Sequence, residues 1–314
     1  MNGLFPAIEP YDCGTLDIGD GHQIYWECCG NPNGKPALYL HGGPGSGCTP
    51  GSRRYFDPRV YRIVLFDQRG CGRSTPLASN PDADLSANTT AHSMQDIEQL
   101  RQLLRIESWT VLGISWGTTI ALAYAQANVA RVEALVLALV TTTSRREVEW
   151  VTERVGRIFP REWERFAAAI PAALRDRPVV DAYAEMLFDR DPAVRDLAAK
   201  EWCAWEDAHV SLAPDHKPNP RFEDPKFRLG FARLVTHYWK SAAFLEDEQL
   251  LRNAPVLNGI RGDLIHGRYD VSSPLETPWR LSKVWTTSSL HVLGDVGHGG
   301  GEAFTSAVIE ALGQ

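Results

Sequence analysis

The stretch Gly113-Ile114-Ser115-Trp116-Gly117 joins an apolar run, 109–114, to a run of small residues that begins at Thr118. A hydroxyl placed between glycines where a strand turns straight into a helix is exposed for nucleophilic attack. The glycines let the backbone bend and the helix pack close to the strand. Serine is a weak nucleophile until a base removes its proton, so a histidine and an acid to orient that histidine are required. In chains with this turn, the acid and then the histidine follow the serine. His298, in Asp295-Val-Gly-His-Gly-Gly300, lies in a loop just past the last strand-like run and is the base selected by this order. His291 falls inside that run and is expected to pack. His266, beside Gly267 near a strand end, is a weaker candidate. Asp270, in the loop after 263–267, is the expected acid. Its competitors are Asp263, at the wrong end of its strand, and Asp295, close enough to His298 merely to cap a turn.

Attack on a carbonyl also needs donors for the oxyanion that forms. One is the amide of the residue after the nucleophile, Trp116. The other is expected from the loop after an early strand, and His41-Gly-Gly-Pro-Gly45 supplies it, with Gly43 as the donor. A third glycine-rich loop, 66–74, lacks the phosphate-loop pattern. It reads as a structural turn that braces the nucleophile, with Arg69 and Arg73 in ion pairs.

These residues need a scaffold. The runs 37–41, 62–67, 109–114, 134–140, 263–270 and 289–294 are short, apolar and bounded by turn residues, as in a mostly parallel sheet buried on both faces. Residues 14–29 read as a hairpin turning at Gly19-Asp-Gly21. Helical patterns at 91–106 and 118–129 lie between strands, which implies βαβ crossovers with helices on both faces. From 144 to about 250 the pattern is helical only, with stretches at 144–159, 161–174, 192–210 and 225–239. The division that follows is a core over 1–143 and 251–314, with a helical cap over 144–250.

The 314 residues, 44% hydrophobic and 23% charged, suffice for a large core, and the net charge of −7 argues against a nucleic-acid surface. No apolar run is long enough to span a membrane, and the start lacks a signal-peptide pattern. Six scattered cysteines, with no C-x-x-C pair, read as reduced thiols in a cytoplasmic protein. No metal or other cofactor is expected.

In this order and spacing, HGGPG, DQRGCGRS, GISWG, HGRYD and GHGG resemble the proline iminopeptidases of the α/β-hydrolase superfamily. The resemblance spans nearly the whole chain and is looser in the helical stretch. It implies an α/β-hydrolase fold with an inserted cap, and a metal-free serine hydrolase that releases an N-terminal residue from a peptide or aminoacyl amide. It implies Ser115, Asp270 and His298 as the triad. It also implies an acidic site for the free amine, with Glu206 in Trp202-Cys-Ala-Trp-Glu206 as one carboxylate and Trp202 and Trp205 as pocket wall. The family's second glutamate is Val235 here, and Ile114 replaces a glycine beside the serine. Glu276 is a candidate to supply the missing charge. The departure implies relaxed selectivity for proline. Trp150, Trp202 and Tyr238 would suit a bulky partner, such as a specialised metabolite carrying an aminoacyl group, and a carboxylesterase would use the same chemistry.

Overall fold

The computed structural model describes residues 3–210, 212–213 and 216–314. Eight strands form one sheet: β1 (Asp12–Asp17), β2 (Gln23–Gly30), β3 (Lys35–Leu40), β4 (Tyr61–Phe66), β5 (Trp109–Ile114), β6 (Val132–Ala138), β7 (Arg261–Gly267) and β8 (Ser288–Leu293). Their order across the sheet is β1-β2-β4-β3-β5-β6-β7-β8. The first two strands form the expected hairpin, β2 runs antiparallel to β4, and every pairing from β4 to β8 is parallel.

Side-chain alternation along these strands feeds two cores. Leu38, Leu40, Val64, Val111, Leu135, Leu137 and Leu264 join the core on one face. Their neighbours Ala37, Tyr39, Ile63, Leu65, Leu112, Val136 and Ile265 join the core on the other. This is the period of two for a sheet covered on both sides. Helices α1 (Thr90–Leu103) and α2 (Trp116–Ala127) cover the first face, and the C-terminal helix (Gly301–Leu312) covers the second.

Between β6 and β7 the chain is helical: α3 (Arg145–Glu149), α4 (Pro160–Ala168), α5 (Val179–Leu187), α6 (Pro192–His209), α7 (Pro225–Lys240) and α8 (Gln249–Arg252). Helices α9 (Glu276–Val284) and α10 (Gly301–Leu312) follow β7 and β8. Helices α6 and α7 both start on an Asp-Pro pair. The Asp191 and Asp224 carboxylates accept from the amides of Ala193 and Lys226, and proline takes the position where no amide hydrogen is needed. The helical patterns expected at 144–159 and 161–174 are each interrupted. The first breaks into α3, a wide turn over 150–154 and a tight turn over 155–157, where the ring of Trp163 fills the space beside Gly156. The second stops at Ala168, ahead of Pro171, which cannot continue a helix. Helix α5 carries no strong start signal beyond Pro178 and is not distinguished by the sequence pattern.

These helices have a core of their own. Phe166 stacks on Tyr183 at 4.3 Å and on Trp205 at 5.2 Å between ring centres, with Trp202 edge-on at 5.6 Å. Val235 is fully buried in this cluster.

Candidate active site

The loops that leave β3, β5, β6, β7 and β8 emerge at the C-terminal ends of five neighbouring parallel strands, the usual place for a site in an open α/β sheet. They carry, in spatial order, His41–Gly45, Ser115, Thr141–Thr143, Asp270 and His298.

Ser115 has φ 55° and ψ −125°, a conformation that side chains rarely adopt. The flanking glycines make it possible. A Cβ on Gly117 would stand 2.1 Å from the Leu40 carbonyl oxygen, and one on Gly113 would stand 2.6 Å from the Gly117 carbonyl oxygen. Gly42 passes so close that a Cβ there would lie 3.2 Å from the Ser115 Cβ. The glycines are therefore demanded by the approach of two loops and a helix.

The Ser115 hydroxyl donates to His298 Nε2 at 2.8 Å, and His298 Nδ1 donates to Asp270 Oδ2 at 2.8 Å. Asp270 Oδ1 accepts the Ser273 amide at 2.9 Å. Asp270 is 5% exposed. Burial pushes its carboxyl pKa up, but the His298 charge and hydrogen bond, His266 and the Ser273 amide outweigh that and lower it. Burial pulls the other way on His298. The Asp270 charge and hydrogen bond, with Glu206 beyond, raise it above the ordinary 6.5.

The rejected candidates have other partners. His291 does not pack in the core. It lies half-exposed and pairs with Asp263 at 2.9 Å, across the parallel strands β7 and β8. His266 accepts the Val140 amide and donates to the Ser273 carbonyl, which sets it behind Asp270. Asp295 is exposed.

Gly43 and Trp116 line the same cavity as Ser115. Trp116 is the first residue of α2, so its amide has no acceptor within the helix. Its indole donates to Gln68 Oε1 at 2.9 Å. Gln68 in turn bonds His41 through its backbone amide and its side chain. Loop 66–74 is thereby tied to both walls of the cavity. Its arginines are paired as expected, Arg69 with buried Asp96 and Arg73 with Asp67 and Glu27.

The cavity is roofed by α3, α6 and α7, through Glu147, Val148, Glu206, His209 and Trp239. Glu206 reaches it from the last turn of α6 with 15% of its side chain exposed. Burial raises its pKa to about 7, against the pull of His298 and the nearby Trp202 indole. The other expected binding residues do not reach the cavity. Glu276 starts α9, pairs with Arg146 and lines a separate groove with Arg154 and Arg280. Trp205 lies one layer back. It is 2% exposed, donates to the Val151 carbonyl and packs at 5.1 Å against His209. Trp202 and Tyr238 are buried packing residues, and Trp150 lines the groove of Glu276.

Two titratable cavity residues, His209 and Glu147, escaped the sequence reading. His209 stands three residues after Glu206, a helical spacing that puts both on one face and would have flagged it. Glu147 faces the cavity but is saturated. It accepts from the Thr142 and Ser144 amides and from the hydroxyls of Thr141, Thr142, Ser144 and Thr277.

Among the described residues, no group of three or more His, Cys, Asp or Glu side chains is placed to hold a metal ion, and no helix is long and apolar enough to cross a membrane.

Comparison with known proteins identifies the fold and the family. Residues 35–301 match the α/β hydrolase fold family. A probable proline iminopeptidase of Streptomyces coelicolor is 50% identical over 98% of this chain and 96% of its own length. A proline iminopeptidase of Xylella fastidiosa is 45% identical over 99% and 97%. The crystal structure of a proline iminopeptidase from Mycobacterium smegmatis superposes with a TM-score of 0.63 over 96% of this chain and 98% of that one. At 22% identity, it speaks to the fold alone. The chain belongs to the proline iminopeptidase family of α/β hydrolases.

Proposed function

We propose that the protein is a serine aminopeptidase that releases an N-terminal residue, proline or a relaxed range of residues, from short peptides or aminoacyl amides. The observation that carries this reading is the relay Ser115–His298–Asp270, with both contacts at 2.8 Å and Nδ1 turned to the acid. The chemistry follows from that tautomer. His298 Nε2 takes the Ser115 proton as Oγ attacks the substrate carbonyl. The amides of Gly43 and Trp116 receive the oxyanion. His298 then gives its proton to the departing nitrogen as the C–N bond breaks, which leaves an acyl-enzyme. Water repeats the sequence and frees the acid.

Glu206 supports the amine end of the reading, since a largely desolvated carboxylate beside the triad recognises a cation. Val235, apolar and fully buried, supports a looser hold than a pair of glutamates would give. On this reading the stretch 144–250 is the cap that admits the substrate. Six free cysteines support a reducing, cytoplasmic setting.

The test is a panel of aminoacyl p-nitroanilides and esters, each with a free and an acetylated α-amine, together with fluorophosphonate labelling. Free-amine anilides are expected to be cleaved, several residues besides proline among them, and the label is expected on Ser115. Activity on esters alone would replace the reading with a carboxylesterase, and absence of labelling would end it.

A further inference from the structure

The last turn of α6 holds an imidazole that the triad does not use. His209 is 1% exposed and lines the cavity of Ser115. Its Nδ1 lies 2.8 Å from Ser272 Oγ, and Ser272 Oγ donates to the His209 carbonyl at 3.3 Å. A carbonyl only accepts and the hydroxyl has one proton, so in the tautomer that makes both contacts Nδ1 carries the ring hydrogen and donates to Ser272. Nε2 is then a bare lone pair. It has no hydrogen-bond partner among the described residues. Burial first, and then the His298 charge, holds this imidazole neutral, its pKa lowered to about 3. Its polar neighbour is Glu206 Oε2 at 3.8 Å, a second acceptor. A buried acceptor without a donor is unfavourable, and two side by side ask for one donor that serves both.

We propose that His209 is the second acceptor of the amine site: Nε2 takes one N–H of the substrate's α-ammonium while the Glu206 carboxylate takes another. The inference rests on the aminopeptidase reading and names how that site holds its substrate. By standard backbone geometry an α-nitrogen lies about 2.5 Å from its carbonyl carbon, so its acceptors must share the cavity of the nucleophile. Glu206 and His209 do. They also sit at the C-terminal end of an 18-residue helix, where the backbone dipoles favour a cation. A protonated N-terminal proline carries two N–H groups, and two acceptors match them.

Two variants separate the role from packing. In His209→Asn the shorter amide can keep the Ser272 contact but has no atom at the place of Nε2. In His209→Gln a terminal atom reaches that place. The readout is the ratio of kcat/KM on L-prolyl-p-nitroanilide to that on p-nitrophenyl acetate, which has no amine. The ratio is expected to fall roughly 10- to 100-fold in H209N, mainly through KM, and to recover largely in H209Q. A ratio unchanged in H209N, or a parallel loss on both substrates, would overturn the inference and leave His209 as packing. A wild-type enzyme that opens the acetate but no free-amine anilide would instead overturn the aminopeptidase reading, and this inference with it. Should H209N melt well below wild type, the wild-type enzyme decides. Titration with L-prolinol is expected to move the ¹⁵N resonance of His209 Nε2, and a resonance that stays in place would overturn the inference.

Discussion

The sheet edge and the last turn of α6 face each other across one cavity and are finished in opposite ways. At the sheet edge the acid–base groups are satisfied: both ring nitrogens of His298 and both oxygens of Asp270 have partners within 2.9 Å. At the end of α6, Glu206 is partly buried beside the buried His209, with the His209 lone pair unclaimed among the described residues. Groups that must react gain from being held in place before the substrate arrives. Groups that must recognise a cation gain from being left short of donors until it comes. The two regions are also tied mechanically. The His298 amide donates to the Val210 carbonyl, one residue past His209, and Ser272 of the Asp270 loop holds His209 itself.

The sharpest break in this comparison is on the satisfied side. Asp270→Asn would turn a donor toward Nδ1 and hold His298 in the wrong tautomer. A loss of roughly 10⁴ in kcat is expected on amine and ester substrates alike, with little change in KM. Steady-state kinetics check it, and a loss confined to amine substrates would mean that Asp270 serves binding instead. Glu206→Gln tests the other side. It should cost roughly 10- to 100-fold in kcat/KM on free-amine anilides and far less on p-nitrophenyl acetate, because only the former presents an ammonium to the carboxylate.

The smallest effect is in pH dependence. His298 works as a base only when neutral, and its pKa is raised, so activity falls as the pH drops through a value above 6.5. Glu206 binds an ammonium only when ionised, and it loses its charge near pH 7, in the same window. Asp270, His209 and His266 are the other titratable groups around His298. The first is held ionised and the other two neutral there. The acid limb of log kcat/KM should therefore approach a slope of two for the amine substrate and one for the acetate. In Glu206→Gln the negative charge that helps raise His298 is gone, so the remaining limb should move to lower pH. Equal slopes for both substrates would separate Glu206 from amine binding.

The same contrast explains what the sequence made legible. The strands, the hairpin, the nucleophile turn and the order of Ser115, Asp270 and His298 follow from local rules: side chains alternate along a strand, and only glycine fits at Gly113 and Gly117. Two of the rejected residues, Asp263 and His291, lie diagonally across β7 and β8, close enough to pair. In the helical stretch, the residue pattern located α6 and α7 but left out α5 and the breaks around α3 and α4.

Residue types and spacing were thus enough to give the fold class and to single out Ser115, Asp270 and His298, three side chains that the fold brings within hydrogen-bonding distance, because those depend on backbone turns whose sterics are written into neighbouring residues. Which of the other side chains reach the cavity beside Glu206 was decided only in three dimensions. Glu276 turned to Arg146, Trp205 fell one layer behind, and His209 entered the cavity. The reason is that the tilt and rotation of α6 are set by the stacking of Phe166, Tyr183, Trp202 and Trp205, residues from three separate helices, and no local spacing encodes that angle.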